Sequence, residues 1–119
     1  HPMASMTHPE RLKQVQAATA RLSAAIPETY KGFSALHHAS GKDGALTART
    51  KELMSLAISI AVRCDGCIAH HIQRSLKLGA TREEIAETIS VAITMGGGPS
   101  TVYGADAWRA FEEFSQPAA

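Results

Sequence analysis

Apolar residues recur at helical spacing along most of the chain, and no segment alternates between apolar and polar residues as a half-buried strand does. Thr7 and Glu10 form a capping-box pair, which predicts the start of a first helix. The residues that follow at helical spacing are Leu12, Val15, Thr19, Leu22 and Ile26. Pro27 then allows a second helix to begin, running to about His38, and residues 40–44 predict a loop.

The third predicted helix carries the most apolar segment, residues 53–62, which only two serines interrupt. Thr47 or Thr50 is the candidate cap, and the modest content of β-branched residues favours helix over strand. A helix that is apolar on almost every side is buried all round. Five neighbouring helices do not easily supply that much cover, so we predict a homo-oligomer. The alternative is that short alanine-rich helices suffice.

A fourth helix is predicted from about Asp65 to Leu78, where Gly79 can adopt the left-handed conformation that ends a helix. Thr81 and Glu84 form a second capping box. The fifth helix that follows has an apolar stripe made of Ile85, Ile89 and Ala92.

Gly96–Pro99 ends the fifth helix, and a last helix is predicted over about residues 100–114. The predicted fold class is therefore all-α, with about six helices and a CxxC motif at the N-terminus of a central helix. We interpret residues 1–5 as the remnant of an expression tag, with the natural start at Met3 or Met6, and residues 6–119 as a single domain.

Composition excludes several functional classes. The formal net charge is +1 and aromatic residues make up 5% of the chain, so neither nucleic acid nor an anionic membrane is expected as a partner. No apolar run is long enough to span a bilayer, and no secretory signal opens the chain. We therefore expect a cytoplasmic protein, in which a lone CxxC is redox-active or metal-binding rather than a structural cross-link.

The candidate chemistry lies in residues 64–71, which contain the only two cysteines of the chain, Cys64 and Cys67. On a helix that begins near Asp65, these cysteines and His71 fall within about 60° of one another, whereas His70 points about 100° away. The partial positive charge at a helix N-terminus favours a thiolate. One turn further on, His71 can accept the thiol proton directly or through a water molecule.

Glu52 is the fourth candidate. If the third and fourth helices form an antiparallel hairpin, Glu52 lies opposite Arg74, about one turn or roughly 5 Å from His71. A carboxylate beside a buried helix needs a partner, and His71 could be that partner. The carboxylate of Glu52 would in turn orient the His71 ring. The plainer alternatives are buried cysteines that act as small hydrophobes, a surface histidine and a solvated first-turn glutamate.

Zinc binding is a second chemical interpretation of the same residues. Two thiolates and His71, with a fourth ligand from His37 or His38, could form a tetrahedral site. The spacing does not identify that fourth ligand, and no second paired motif is present. His37 and His38 are otherwise interpreted as the polar end of the second helix.

The spacing Glu52, Cys64-x-x-Cys67 and His71 resembles the active-site signature of the alkylhydroperoxidase AhpD-like branch of the carboxymuconolactone decarboxylase family. Residues 51–57, 78–85 and 96–99 are also similar to that family, and the resemblance covers roughly residues 30–114. It implies an AhpD-like all-α fold that assembles as trimers or hexamers.

The resemblance also implies a thiol peroxidase without a bound organic cofactor or metal. Cys67 would attack a hydroperoxide and become a sulfenic acid, and Cys64 would resolve it as a Cys64–Cys67 disulfide. His71 would be the base, with Glu52 positioning it or relaying its proton. An external dithiol, such as a lipoyl group or a thioredoxin-like protein, would restore the thiols.

Position 66 departs from the family pattern, because well-studied peroxidase members carry a histidine beside the second cysteine and this chain has Gly66. We therefore expect weaker peroxide reduction. One alternative is a protein of the same fold that only senses redox state or supports assembly. Another is a lactone decarboxylase-like lyase, although that branch lacks the cysteine pair.

Overall fold

The computed structural model describes residues 6–116, and residues 1–5, interpreted above as a tag remnant, lie outside the described part. The described residues form an all-α fold, as predicted, and contain no strand. The six helices are α1 (His8–Ala25), α2 (Pro27–Gly41), α3 (Ala48–Ala61), α4 (Asp65–Lys77), α5 (Arg82–Gly96) and α6 (Gly98–Phe114).

The predicted starts of α1, α3 and α5 are confirmed at atomic detail. Both capping boxes are complete, since Thr7 and Thr81 each accept a backbone hydrogen bond while Glu10 and Glu84 bond back to the cap. At α3 the cap is Thr47, whose side chain accepts from the Thr50 backbone N–H. These local bonds fix where the chain enters three of the six helices.

The core lies between α3, α4, α5 and α6. The predicted apolar stripe of α5 is buried, and it packs against fully buried side chains from α3 and α4. Those side chains are Leu56, Ile60, Ile68 and Ile72. α6 completes the core with small buried residues, Ala107 and Ala110. This bundle holds α3 and α4 firmly side by side, which positions the candidate site.

Two predicted boundaries are wrong. α2 continues to Gly41, so Ser40 and Gly41 are helical rather than part of a loop, and α6 already begins at Gly98 rather than at Ser100. A glycine costs a helix only about 1 kcal/mol, which neighbouring helical residues can offset. Gly97, with a φ of 72°, is the residue at which the chain turns between α5 and α6.

The prediction that α3 is buried all round is wrong within one chain. Met54, Ile58 and Val62 are 48%, 60% and 64% exposed and form a stripe on one side of the helix. α5, which packs against α3, also carries exposed apolar residues, Val91 and Met95. The hydrophobic pattern reports how apolar α3 is, but not how much of its surface a single chain covers.

α1 is attached to the bundle along a narrow strip. His8 and Leu12 are its buried residues, whereas Leu22 and Ile26 from the predicted apolar stripe are 50% and 40% exposed. α1 packs on α4 and α6, and it thereby covers the beginning of α4. No helix in residues 6–116 is both long and apolar enough to cross a membrane.

Candidate thiol–disulfide site

The cysteine pair lies at the start of α4. The chain turns out of α3 through Arg63, which has a φ of 61°, and the Cys64 N–H donates to the Ser59 carbonyl at 3.0 Å. Cys64 is the N-cap residue, and its Sγ accepts a hydrogen bond from the Cys67 N–H at 3.3 Å. The two cysteines form a disulfide with each other and both are half-buried. The motif therefore occupies the positive end of a helix dipole, as the sequence predicts.

Glu52 and His71 meet across the α3–α4 pair. The Nδ1–H of His71 donates to Glu52 Oε1 at 2.7 Å, since a carboxylate can only accept. Both side chains are largely buried, with 11% and 16% of their surfaces exposed. Because Nδ1 carries the donated proton, Nε2 is the nitrogen that is free to accept another. His71 is also one helical turn beyond Cys67, on the same helix.

A row of aromatic rings continues from His71 towards the surface. The His70 ring meets the His71 ring edge-on at a centroid distance of 4.8 Å, and the His37 ring of α2 lies 6.3 Å from His70. Burial lowers the pKa of His70, and the nearby His71, His37 and Arg74 lower it further, while Glu52 acts in the opposite direction. Helix geometry predicts His70 to be the poorer candidate, yet its ring contacts that of the candidate base, His71.

Two cavities open beside this row, between α2, α3 and α4. One of about 380 Å³ is lined by His71, Glu52 and His37 together with apolar side chains, Leu46, Met54 and Ile58. The other, of about 350 Å³, is lined by Glu52, His37, His38, Lys42 and Arg74 among others. Glu52 and His37 border both cavities, so the Glu52–His71 pair is accessible to small molecules from the α2 side.

The opposite side of the motif is covered by α1. A Cβ atom on Gly66 would lie 3.5 Å from both methyl carbons of Val15, and Arg11 donates to Asp65 at 2.7 Å. A longer side chain at position 66 would therefore run into α1. This contact could not be predicted from the sequence, because nothing in local spacing relates positions 15 and 66.

A second buried histidine also escaped the sequence analysis. His8 is 2% exposed, and its backbone N–H donates to Glu113 Oε1 at 2.8 Å. Its ring contacts Glu113 through Nδ1 and Asp106 through Nε2, the latter at 3.1 Å. Burial alone would lower the pKa of His8, but the hydrogen bonds and charges of the two carboxylates outweigh it and raise that pKa. These contacts fasten the start of α1 to α6.

The structure joins the four residues named from the sequence in two pairs. Cys64 and Cys67 are bonded to each other, and Glu52 is bonded to His71 on the same helix as the cysteines. Within residues 6–116 no group of three or more His, Cys, Asp or Glu side chains is arranged to hold a metal ion.

Comparison with known proteins gives the same family as the motif. The family model of carboxymuconolactone decarboxylases matches residues 27–110. An uncharacterised protein of Cupriavidus necator is 34% identical over 102 residues, which cover 86% of this chain and 90% of that protein. Uncharacterised protein 4 of the cox locus in Paracoccus denitrificans is 34% identical over 95 residues, or 80% of this chain and 83% of that protein.

Solved structures agree in fold. An apo carboxymuconolactone decarboxylase family protein from Legionella pneumophila is 47% identical, with a TM-score of 0.89 over 92% of this chain and 97% of that one. A Thermotoga maritima family protein, described with a suggested involvement in the antioxidative response, is 31% identical with a TM-score of 0.78 over 87% of this chain and 88% of that one. The chain therefore belongs to the carboxymuconolactone decarboxylase family.

Proposed function

We propose that this protein is an AhpD-like thiol–disulfide oxidoreductase that reduces hydroperoxides. The observation that carries the proposal is the hydrogen bond between His71 and Glu52, on the same helix that begins with the Cys64–Cys67 disulfide. A buried carboxylate that holds one ring nitrogen leaves the other nitrogen as a proton acceptor beside the thiols. The antioxidative role suggested for the Thermotoga maritima relative supports the same chemistry.

The reaction balances within the four residues and the substrate. Cys67 transfers its thiol proton to His71, and the thiolate attacks one peroxide oxygen, so that an S–O bond forms and the O–O bond breaks. The alkoxide leaves with the proton as an alcohol. Cys64 then loses its proton and attacks the sulfenic sulfur, an S–S bond forms, and hydroxide leaves with that proton as water. The peroxide gains two electrons, and the two thiols lose them.

An external dithiol closes the cycle. Its thiolate attacks the Cys64–Cys67 disulfide, its second thiol completes the exchange, and both cysteines regain their protons. A lipoyl group or a thioredoxin-like protein is the kind of donor we propose, because each supplies two neighbouring thiols. A single CxxC motif that is reduced again after each cycle fits a reducing compartment, so a cytoplasmic location is part of the same proposal.

A homo-oligomer is the further part of the proposal. The stripe of α3 leaves Met54, Ile58 and Val62 about half exposed, so burying each should yield about half of the roughly 1.5–3 kcal/mol of a fully exposed side chain. Ile58 also lines the cavity beside His71. A second copy seated on this stripe would cover Met54 and Ile58, which both line that cavity. The family resemblance implies a trimer or a hexamer.

The direct test is peroxide consumption by the fully reduced protein. Tert-butyl hydroperoxide should be reduced with the loss of two free thiols per chain, and dihydrolipoamide should restore them. Cys67→Ser should abolish consumption, while Glu87→Gln, which alters an exposed residue on α5, should not. Full activity in Cys67→Ser would refute the assigned role.

The contact between Val15 and the Gly66 position favours a second candidate, a redox sensor that does not turn over peroxide. α1 covers the motif on that side, and disulfide formation could then alter the packing of α1 rather than serve catalysis. Such a protein would form the disulfide reversibly but consume peroxide no faster than a free dithiol. A lyase, the third candidate, would keep its activity when both cysteines are replaced.

A further inference from the structure

An acidic residue lies inside the cysteine motif. Asp65 follows Cys64 directly and is the first residue of α4, so its carboxylate belongs to the helical turn that carries both cysteines. The thiolate is the reactive form of a cysteine, and a negative charge close to a thiol makes the thiolate harder to form. Asp65 therefore opposes the effect of the helix dipole, whose positive end favours the thiolate at the same place.

A guanidinium from α1 compensates the charge of Asp65. Arg11 Nη2 donates to Asp65 Oδ2 at 2.7 Å, a charge-assisted hydrogen bond between residues 54 positions apart. The side chains of Arg11 and Asp65 are 33% and 41% exposed, so water and salt screen this pair only in part. In the part of the chain that the structure describes, Arg11 is the only basic side chain in an ion pair with Asp65.

The attachment of α1 brings Arg11 to this position. His8, one turn before Arg11, is buried against α6, and Val15, one turn after it, borders the space beside Gly66. Residues three or four positions apart lie on the same face of a helix. The face of α1 that packs on the bundle is therefore also the face that presents the guanidinium to the cysteine motif.

We propose that Arg11 is a positioning residue of the thiol–disulfide site, which neutralises Asp65 and thereby preserves the thiolate that the start of α4 favours. This inference rests on the proposed thiol–disulfide function and adds to it a residue from outside α3 and α4. Arg11 acts through Asp65, not through a contact with sulfur. The alternative role of the ion pair is purely structural, namely to fasten α1 to α4.

The experiment is alkylation of the fully reduced protein by iodoacetamide across a pH series, in which the rate follows the thiolate fraction. Arg11→Gln leaves Asp65 uncompensated, so the pH of half-maximal rate should rise by about half a unit, which is roughly threefold in thiolate below that pH. Asp65→Asn leaves Arg11 uncompensated, so that pH should fall by a similar amount. The double variant should return close to the parent. Arg21→Gln, the same change at an exposed position of α1, should leave the profile unchanged.

The signs of the two shifts separate charge compensation from fastening. Either single substitution breaks the ion pair, so a purely structural role would move both profiles in the same direction. The other charged groups around the motif, Arg63 in the preceding turn and the Glu52–His71 pair, are the same in every variant. Shifts of the same sign, or profiles of both single variants that coincide with the parent, would overturn the inference. Asp65→Asn retains Arg11 and provides the test if Arg11→Gln does not fold.

Alkylation needs no peroxide, which separates this inference from the peroxidase proposal. If the parent protein does not consume peroxide but the two single variants shift in opposite directions, the peroxidase proposal fails and the role of Arg11 stands. If the parent protein consumes peroxide and neither variant shifts, only the role of Arg11 is wrong.

Discussion

Glu52 in α3 accepts a hydrogen bond of 2.7 Å from His71 in α4, although 19 positions separate the two residues. The bond exists because α3 and α4 pack side by side around shared core residues, and it orients an imidazole one turn beyond Cys67. It holds the imidazole of α4 against α3. The proposed chemistry of the site depends on this pair more than on any other contact.

Glu52→Gln should keep the fold and lose activity. The amide oxygen can still accept from Nδ1, but the negative charge that stabilises a protonated His71 is gone, so peroxide consumption should fall by at least about tenfold. Glu87→Gln, an exposed acid on α5, is the matched control and should change nothing. Equal rates in the two variants, measured in the same peroxide assay, would remove Glu52 from the mechanism.

Cys64→Ser should stop the cycle at the sulfenic acid. Without the resolving thiol, Cys67 can still attack one peroxide, and dimedone should label one cysteine per chain as detected by mass spectrometry. Cys67→Ser should give no label. If the labels appear in the opposite variants, the attacking and resolving roles of the two cysteines must be exchanged.

Gly66→Ala should stabilise the protein slightly. Position 66 lies in the first turn of α4 with an ordinary backbone conformation, and the added methyl would sit at normal contact distance, 3.5 Å, from Val15. The gain should be about 0.4–1 kcal/mol, through the lower entropy of the unfolded chain. That corresponds to a rise in Tm of a few degrees, roughly 2–8 °C, in thermal unfolding.

Gly79→Ala is the matched control for that prediction and should have the opposite sign. Gly79 has a φ of +87°, which a residue with a Cβ atom adopts only with strain, although no other atom lies within 4 Å of the added carbon. A lower Tm for Gly66→Ala than for the parent protein would show that α1 cannot accept even a methyl group at the motif.

The clamp of His8 between Asp106 and Glu113 should make stability depend on pH. The pKa of His8 is raised, so its contribution is fully present below its unfolded-state value of 6.5 and is lost as the pH rises through the folded-state value. The hydrogen bond from His8 lowers the pKa of Asp106. Burial would raise the pKa of Glu113, but the hydrogen bonds from His8 outweigh burial, so that pKa is also lowered. The carboxylates therefore lose their contribution as the pH falls through those lowered values.

Thermal unfolding at pH 6 and pH 8.5 tests this clamp. The parent protein should lose Tm between the two pH values, and His8→Gln should lose clearly less. His38→Gln, an exposed histidine on α2, should follow the parent. If the Tm values of the parent protein and of His8→Gln change in parallel, the cluster of His8, Asp106 and Glu113 does not titrate in this range.

Ile58→Glu should dissociate the proposed oligomer. Ile58 is 60% exposed in one chain and lies at the centre of the α3 stripe, where a charge would be buried without a partner in an assembly. Light scattering at micromolar concentration should give an assembly for the parent and a single chain for the variant. Leu22→Glu, which alters a 50% exposed residue on α1, is the control and should remain assembled. If the parent protein is monomeric at that concentration, the proposed homo-oligomer is wrong.

The sequence by itself determined the helices and the threonine caps of three of them, and it named the four candidate site residues. Thr7, Thr47 and Thr81 act on backbone groups three residues away, and Cys64, Cys67 and His71 share one helix, so short-range spacing contains the information. Glu52 could be placed beside His71 because a tight turn joins two helices whose rise per residue is constant.

Only the tertiary structure decided which surfaces are covered and which distant groups meet. His8 and Glu113, which are hydrogen-bonded, lie 105 positions apart in the sequence, and Val15 of α1 borders the space beside Gly66 of α4. Neither follows from a periodic pattern, because packing between helices depends on the shape and charge of every neighbour at once. For the same reason α3, apolar on nearly all sides, leaves Met54, Ile58 and Val62 uncovered in a single chain.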